Sequence, residues 1–256
     1  MIDALAFHTA SVTNVGLARA HNEDDVLVRP DIGLWAVADG MGGYGGGDVA
    51  SGAVVAALRT LAPSVTAAQL LAEFEQKIVR VNADLRAMAH ARAGAILGAT
   101  LVALMVHGAH FACVWCGDSR GYLLRSGKLS QVSRDHSEVQ ELIDRGLLRK
   151  EEAKTWPRRN VVTRALGATD EAELEIVDGP AYAGDRFLLC SDGLTAHVAD
   201  DEIAAMLAAV HPHTAVGDLL QLTLERGASD NVSIIVVDCR EADATPAAGG
   251  RRDLGD

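Results

Sequence analysis

The chain has 256 residues, 49% of them hydrophobic and 4% aromatic, and its formal net charge is −12. This length and apolar content are those of a globular protein that can bury a substantial core. The acidic balance argues against binding to nucleic acid or to an anionic membrane surface, because both attract clustered Lys and Arg.

No targeting or membrane segment is expected. The longest nearly apolar run, residues 93–106, is shorter than the roughly 20 residues of a membrane span. The first residues lack the basic region and apolar core of a signal peptide. We therefore expect a cytoplasmic protein that does not associate with membranes.

Early in the chain, strands are expected at residues 5–12 and 26–28, separated by a polar cluster at residues 19–25. Residues 34–38 form an unbroken apolar run, typical of a strand buried on both faces. This run leads Asp39 into a glycine-rich turn that opens a helix. Residues 40–45 also fit the dinucleotide fingerprint G-x-G-x-x-G, but that motif needs a strand after the helix and an acid about 20 residues on. Here a second helical pattern follows, and residues 59–66 contain no acid.

The remaining patterns alternate between strand groups and helix pairs. Amphipathic stripes predict helices at residues 49–61, 66–88, 137–146, 201–210 and 214–226. Further strands are predicted at residues 99–106, 111–116, 121–125, 129–132, 187–190 and 232–237. Short Gly-containing turns indicate antiparallel strands, and continuous apolar strands need both faces covered, which two packed sheets with helices outside would provide.

Cys113 and Cys116 match the spacing C-x-x-C, but they fall within a predicted strand. An odd separation on a strand directs the two sulfurs to opposite faces of the sheet. We therefore expect buried, reduced cysteines rather than a redox pair or a zinc site.

Acidic residues recur where buried strands meet loops. The clearest examples are Asp39, Asp192 and Asp230, and the further candidates are Asp118, Glu23 and Asp24. Carboxylates that lie close together without Lys or Arg nearby repel one another, which makes them costly to keep ionised. Bound divalent cations remove this repulsion. Oxygen ligands favour magnesium or manganese over zinc. Two such ions can hold an in-line displacement at phosphorus.

Five short motifs carry these acids, and each motif alone is weakly specific. In order they are Arg19…Glu23-Asp24, Asp39-Gly40-Met41-Gly42-Gly43, Gly117-Asp118-Ser119-Arg120, Ser191-Asp192-Gly193 and Ser229-Asp230-Asn231. Together they closely resemble the metal-dependent protein phosphatases of type 2C, the PPM family. The bacterial branch fits best, because it adds Asp135-His136-Ser137 and the motif at residues 160–167.

This resemblance implies an α+β fold, a four-layer α-β-β-α sandwich in which two mainly antiparallel sheets are flanked by helix pairs. Residues 1–240 would form one phosphatase domain, and residues 137–169 would be a variable flap beside the active site. Residues 241–256 are rich in Ala, Gly, Pro and charged residues, and a disordered tail is expected there.

The resemblance also implies a metal centre of two manganese or magnesium ions. Asp39 would bridge both ions, and the Gly40 carbonyl would bind the first. Asp192 and Asp230 would complete the second. Asp118, together with Asp192, would hold a looser third ion.

Further roles follow from the same resemblance. Arg19 would take the substrate phosphate in a forked contact, which suits a guanidinium. Glu23 and Asp24 would lie behind the ligands and orient metal-bound water. Met41 stands where eukaryotic members carry a histidine as a proposed general acid, so the leaving oxygen would have to be protonated from elsewhere.

The expected activity is hydrolysis of phosphoserine and phosphothreonine in proteins by metal-activated water. It would reverse phosphorylation by a bacterial serine/threonine kinase. A monomer is expected. Two alternatives stay open at this point. One is a non-catalytic domain that keeps the fold and binds phosphoproteins, and the other is a phosphatase of small phosphate esters.

Overall fold

The computed structural model describes residues 5–43, 45–92, 96–208 and 211–242. Within these ranges the chain forms eleven β-strands and six α-helices. The last strand runs to Glu241, and residues 243–256 of the expected tail lie outside the described residues. No helix of the described part combines the length and the apolar character that crossing a membrane requires.

The strands in chain order are β1 Leu5–Asn14, β2 Asp24–Arg29, β3 Leu34–Gly42, β4 Leu97–Ala99, β5 Leu101–His107, β6 His110–Cys116, β7 Arg120–Arg125, β8 Lys128–Gln131, β9 Glu175–Pro180, β10 Arg186–Cys190 and β11 Val232–Glu241. One sheet has the order β1-β11-β10-β7-β8. The other has the order β2-β3-β5-β6-β9, with β4 paired to β3. Every pairing between neighbours whose register is determined is antiparallel, as predicted.

The helices in chain order are α1 Gly47–Arg59, α2 Ala67–Ala91, α3 Glu138–Asp144, α4 Asp192–Thr195, α5 Asp200–Leu207 and α6 Pro212–Glu225. Their starts follow from local chemistry. Thr66 and Ser137 accept hydrogen bonds from the backbone N–H three residues later, at 3.1 and 3.3 Å, and so cap α2 and α3. Pro212 occupies the first turn of α6, where its missing N–H is no loss.

Three apolar clusters define the layers. In the first, Phe74 and Ile78 of α2 pack with Leu101 on one sheet. In the second, Leu219 of α6 packs with Leu188 on the other sheet. The third cluster lies between the sheets, so the predicted four-layer α-β-β-α sandwich is confirmed.

Cys113 and Cys116 occupy different layers, as their spacing predicted. Cys113 belongs to the cluster between the two sheets, whereas Cys116 belongs to the cluster beneath α1 and α2. Both are buried free thiols. Burial raises the pKa of each thiol to about 12, so neither is a ready nucleophile.

Two local predictions were wrong. The strand expected to end at residue 38 continues through Gly42, because Gly40 to Gly42 pair with β4 rather than entering a turn. The strand β9 was not expected at all. It lies at the edge of its sheet and is half-exposed along much of its length, so it lacks a buried apolar run.

Candidate metal centre

Asp39 lies where β3 changes partners. Residues 34–37 of this strand pair with β5, and residues 40–42 pair with β4. Between them, the Asp39 carbonyl accepts a 2.8 Å hydrogen bond from the Thr100 N–H. On the other side of β3, Asp39 faces Asp24 of β2 in direct register. The predicted site therefore begins with two carboxyl-bearing residues opposite each other at the end of a sheet.

Glu23 and Gly40 are held close together just beyond this pair. The Gly40 N–H donates to the Glu23 carbonyl at 3.0 Å, and Glu23 Oε1 accepts from the Gly47 N–H at 3.2 Å. A Cβ on Gly40 would stand 2.0 Å from the Gly47 carbonyl oxygen, so only glycine fits there. Glu23 thus connects the end of β3 to the start of α1.

Asp24 is buried and only partly satisfied. Its Oδ2 accepts a 2.8 Å hydrogen bond from the Ser191 hydroxyl, which in turn accepts from the Ser233 N–H at 3.0 Å. Its Oδ1 has no hydrogen-bond partner among the described residues. Burial is the largest cause that raises the pKa of Asp24 to about 6.

Asp192 and Asp230 come from the second sheet. Asp192 follows β10 as the first residue of α4, and Asp230 lies two residues before β11, the neighbour of β10. A Cβ on Gly193 would stand 1.9 Å from the Asn231 carbonyl oxygen, so the two loops touch through their backbones. Burial, followed by the charge of Asp230, raises the pKa of Asp192 to about 6.

Asp118 lies in the turn between β6 and β7. Burial, followed by the charge of Asp192, raises the pKa of its carboxyl to about 8. The neighbouring Ser119 hydroxyl is 2.7 Å from the hydroxyl of Thr100, which accepts from the Asp39 N–H at 3.3 Å. Sequence reasoning did not single out Thr100, yet it joins the loops that carry Asp118 and Asp39.

The predicted site acids lie close enough to affect one another's pKa, so they form one group. Burial raises the pKa of Asp39 well above its usual value, and further causes are the charges of Asp24, Asp192, Asp118 and Asp230. Carboxylate oxygens are the donors that magnesium and manganese prefer, and cations would relieve this repulsion. Donor chemistry and burial therefore fit the metal ions that the sequence implies. No three His, Cys, Asp or Glu side chains of the described part converge into a ligand set by themselves.

Arg19 lies at the edge of this acidic group. Its guanidinium donates to Asp230 Oδ2 at 2.7 Å, and its side chain is 53% exposed. The hydrogen bond to Asp230 is the largest cause that raises the pKa of Arg19, and the charges of Asp230, Glu23 and Asp39 add to it. The cation predicted to bind phosphate thus stands beside the acids, with its guanidinium directed at one predicted ligand.

Asn231 fixes the loop that carries Arg19. Its Nδ2 donates to the carbonyls of Val15 and His21 at 2.9 and 3.0 Å, and its Oδ1 accepts from the Glu23 N–H at 2.8 Å. The sequence showed Asn231 only as the residue after Asp230. An amide suits this place because it can donate and accept at the same time.

A comparison of the sequence with known protein families identifies the family of this chain. The sequence profile described as Protein phosphatase 2C matches residues 18–226, most of the chain. The chain belongs to this family. The bacterial type 2C resemblance noted from the sequence motifs is therefore confirmed.

Three relatives show how far the similarity extends. PppA of Pseudomonas aeruginosa, described as a key regulatory component of T6SS, is 39% identical with a TM-score of 0.86, covering 93% of this chain and 99% of that one. The catalytic domain of the phosphatase PstP, solved with two manganese ions, is 38% identical with a TM-score of 0.84, over 92% of this chain and 99% of that one. A Listeria monocytogenes serine/threonine phosphatase is 34% identical, over 90% of this chain and 95% of its own.

One relative is much longer than this chain. The similarity to the Mycobacterium tuberculosis phosphatase PstP covers 93% of this chain, at 38% identity, but 46% of that protein. The chain thus spans about half the length of this relative.

Proposed function

We propose that this protein is a metal-dependent phosphatase that removes phosphate from phosphoserine and phosphothreonine in proteins. The observation that carries the proposal is the gathering of Asp39, Asp118, Asp192 and Asp230 from four separate segments of the chain beside Arg19. The relatives named as serine/threonine phosphatases, and the relative solved with two manganese ions, support it.

Under this proposal Asp39, Asp192 and Asp230, with the Gly40 carbonyl, hold two manganese or magnesium ions, and Asp118 contributes to a third. Bound there, the ions would supply Lewis acidity at the phosphate and lower the pKa of the attacking water. The two sheets and their connections hold the acids in fixed positions, so that the site does not have to reorganise during the reaction.

Arg19 would orient the substrate. Its exposed guanidinium offers a planar pair of donors, which matches two oxygens of a phosphate. Glu23 and Asp24 would act from behind the ligands, and the unpartnered Oδ1 of buried Asp24 leaves one acceptor for a water molecule in that place. The side chain at residue 41 is Met, which cannot supply a proton to the leaving oxygen.

The proposal extends to the domain organisation, the oligomeric state, the cellular compartment and the source of the substrates. We propose that residues 1–240 act as one domain with residues 137–169 as its flap, as a monomer in the cytoplasm, and that the substrates are products of a serine/threonine kinase. All four predicted metal-binding aspartates, Asp39, Asp118, Asp192 and Asp230, are present, which favours this function over a non-catalytic phosphoprotein-binding domain. A phosphatase of small esters remains the second candidate because it would use the same chemistry.

One experiment separates these candidates. Turnover of a phosphothreonine peptide, a nucleotide and a sugar phosphate should be compared with manganese, with magnesium and with EDTA. We expect metal-dependent turnover that is fastest for the peptide. Full activity of metal-free protein in EDTA would refute the metal centre, and preference for the sugar phosphate or nucleotide would favour the second candidate.

A further inference from the structure

His136 clamps the glycine that precedes Asp118. Its Nδ1 accepts a hydrogen bond from the Gly117 N–H at 3.1 Å, and its own N–H donates to the Gly117 carbonyl at 2.9 Å. Both polar groups of one peptide residue are thus held by a single partner. The side chain of His136 is buried, with 7% of its surface exposed.

Gly117 needs such a clamp because it has no side chain to fix its conformation. Its φ is +115°, a value that L side chains rarely adopt. A Cβ at this position would stand 2.5 Å from the Cβ of Thr100, so the turn passes directly against the neighbouring strand end. The backbone angles of Gly117 decide where the Asp118 carboxylate points.

The other ring nitrogen of His136 faces the segment at residues 137–169 and the strand beyond it. Nε2 is 3.2 Å from Glu175 Oε1 on β9, and the Arg164 guanidinium donates to the same oxygen at 2.9 Å. The His136 carbonyl accepts from the Thr163 N–H at 2.8 Å. Nε2 also lies 3.4 Å from the Arg164 guanidinium, so His136 touches the end of this segment through both its ring and its backbone.

The neutral ring has one tautomer that satisfies these contacts. Because Nδ1 accepts from Gly117, Nε2 carries the proton and can donate to Glu175. Burial is the main cause that lowers the pKa of His136, which favours this neutral form. The ring also stacks on Trp115, with centroids 6.2 Å apart and planes at 27°. The ring is held on its face and at both nitrogens.

We propose that His136 is a positioning residue that sets the orientation of Asp118 and links it to the end of the 137–169 segment. The inference rests on the proposed phosphatase function, but it concerns a residue outside the acidic group. It assigns the two ring nitrogens different tasks. Nδ1 fixes the turn, and Nε2 connects that turn to Glu175.

Two substitutions, each of which places an amide atom near one ring nitrogen, separate these tasks. In His136→Asn the side-chain oxygen occupies the place of Nδ1 and can still accept from Gly117. In His136→Gln the amide reaches the place of Nε2, and Gly117 loses its acceptor. The same change at an exposed histidine of β6, His110→Gln, is the matched control.

The first readout is manganese binding to chelator-stripped protein, measured by calorimetry. We expect the weakest binding step to become about tenfold weaker in His136→Gln, because one buried donor is left without a partner. His136→Asn and His110→Gln should keep the wild-type isotherm. An isotherm in His136→Gln that is indistinguishable from wild type would overturn the inference.

The second readout is kinetic. In His136→Gln turnover of p-nitrophenyl phosphate should fall while its KM stays close to wild type, and His136→Asn should restore the turnover. Equal loss in both variants would indicate a structural role alone and would also overturn the inference. If wild type itself shows no metal-dependent turnover, the proposed function fails, and the calorimetric comparison still tests the positioning role.

Thermal unfolding shows whether each variant is folded before its manganese binding is compared with wild type. If His136→Gln does not fold, His136→Leu takes its place, because leucine also removes the acceptor of the Gly117 N–H while it keeps the buried volume filled. We expect weaker binding in the same manganese step, and an unchanged isotherm would refute the inference.

Discussion

Asp24 and Asp39 lie directly opposite each other across the antiparallel pair β2–β3. Like charges at opposite positions destabilise a sheet. Burial is the largest cause that raises the pKa of Asp39, and the charge of Asp24 is the second largest. The fold therefore keeps two mutually repelling carboxyl groups at the centre of the site. Functional sites commonly lower the stability of a protein in this way.

The first prediction concerns Asp39→Asn, which removes one of these charges without changing core volume. In EDTA the variant should unfold at a higher temperature than wild type, by about 2–4 °C for each kcal/mol of repulsion relieved. With manganese it should lose nearly all turnover. Calorimetry and p-nitrophenyl phosphate hydrolysis measure the two effects.

Asp25→Asn is the matched control, because Asp25 lies next to Asp24 on β2 but projects to the opposite face. It should retain activity. A lower melting temperature of Asp39→Asn in EDTA would contradict the repulsion argument.

The second prediction concerns pH. The pKa of Asp118 is raised to about 8 and that of Asp192 to about 6, above the value of about 3.9 for an unfolded Asp. Between these values the native state binds more protons than the unfolded state, so each carboxyl lowers stability as pH rises. Urea unfolding in EDTA should therefore show wild type losing stability relative to Asp118→Asn between pH 5 and pH 8. Manganese should reduce this difference, and a constant difference would count against the raised pKa of Asp118.

The third prediction concerns Arg19. Arg19→Ala should raise the KM for a phosphopeptide, and Arg19→Lys should restore only part, because an ammonium cannot make the planar two-point contact. Since Arg19 donates to Asp230 in this structure, its removal should leave manganese binding equal or tighter. Steady-state kinetics and calorimetry test both parts. Unchanged kinetics in both variants would make Arg19 an ordinary surface cation.

The fourth prediction concerns Asn231, which holds the loop that carries Arg19. Asn231→Ala removes three hydrogen bonds to this loop, each of which contributes about 0.5–1.5 kcal/mol to stability. Trypsin should then cut after Arg19 faster than in wild type. Cleavage after exposed Arg149 provides the internal reference. Equal rates at Arg19 in both proteins would show that Asn231 does not restrain the loop.

The fifth prediction concerns Asp118 and the leaving group. Asp118→Asn should keep the two tighter manganese-binding steps but lose turnover. The loss should be greater for a phosphopeptide, whose alkoxide needs a proton, than for p-nitrophenyl phosphate, whose leaving group does not. An ordinary turn residue would tolerate Asn. Equal phosphopeptide turnover of variant and wild type, at limiting and saturating manganese, would refute the role.

Much of this protein can be predicted from local pattern. The apolar runs and amphipathic stripes indicated two covered sheets and paired helices, because burial on one or two faces leaves a period in the sequence. The capping residues Thr66 and Ser137 marked helix starts by a short-range hydrogen bond. The acidic motifs indicated the family because the five motifs occur together in this order along the chain.

The tertiary structure decided what depends on contacts between distant segments. The sequence of Gly40 to Gly42 suggested a turn, yet these residues form part of a strand because β4, at Leu97–Ala99, supplies their hydrogen-bonding partners. The direct facing of Asp24 and Asp39, the hold of Asn231 on the Arg19 loop, and the clamp of His136 on Gly117 are likewise set by register and packing. A sequence shows which groups are present, but only folding brings their hydrogen-bonding atoms within about 3 Å of one another.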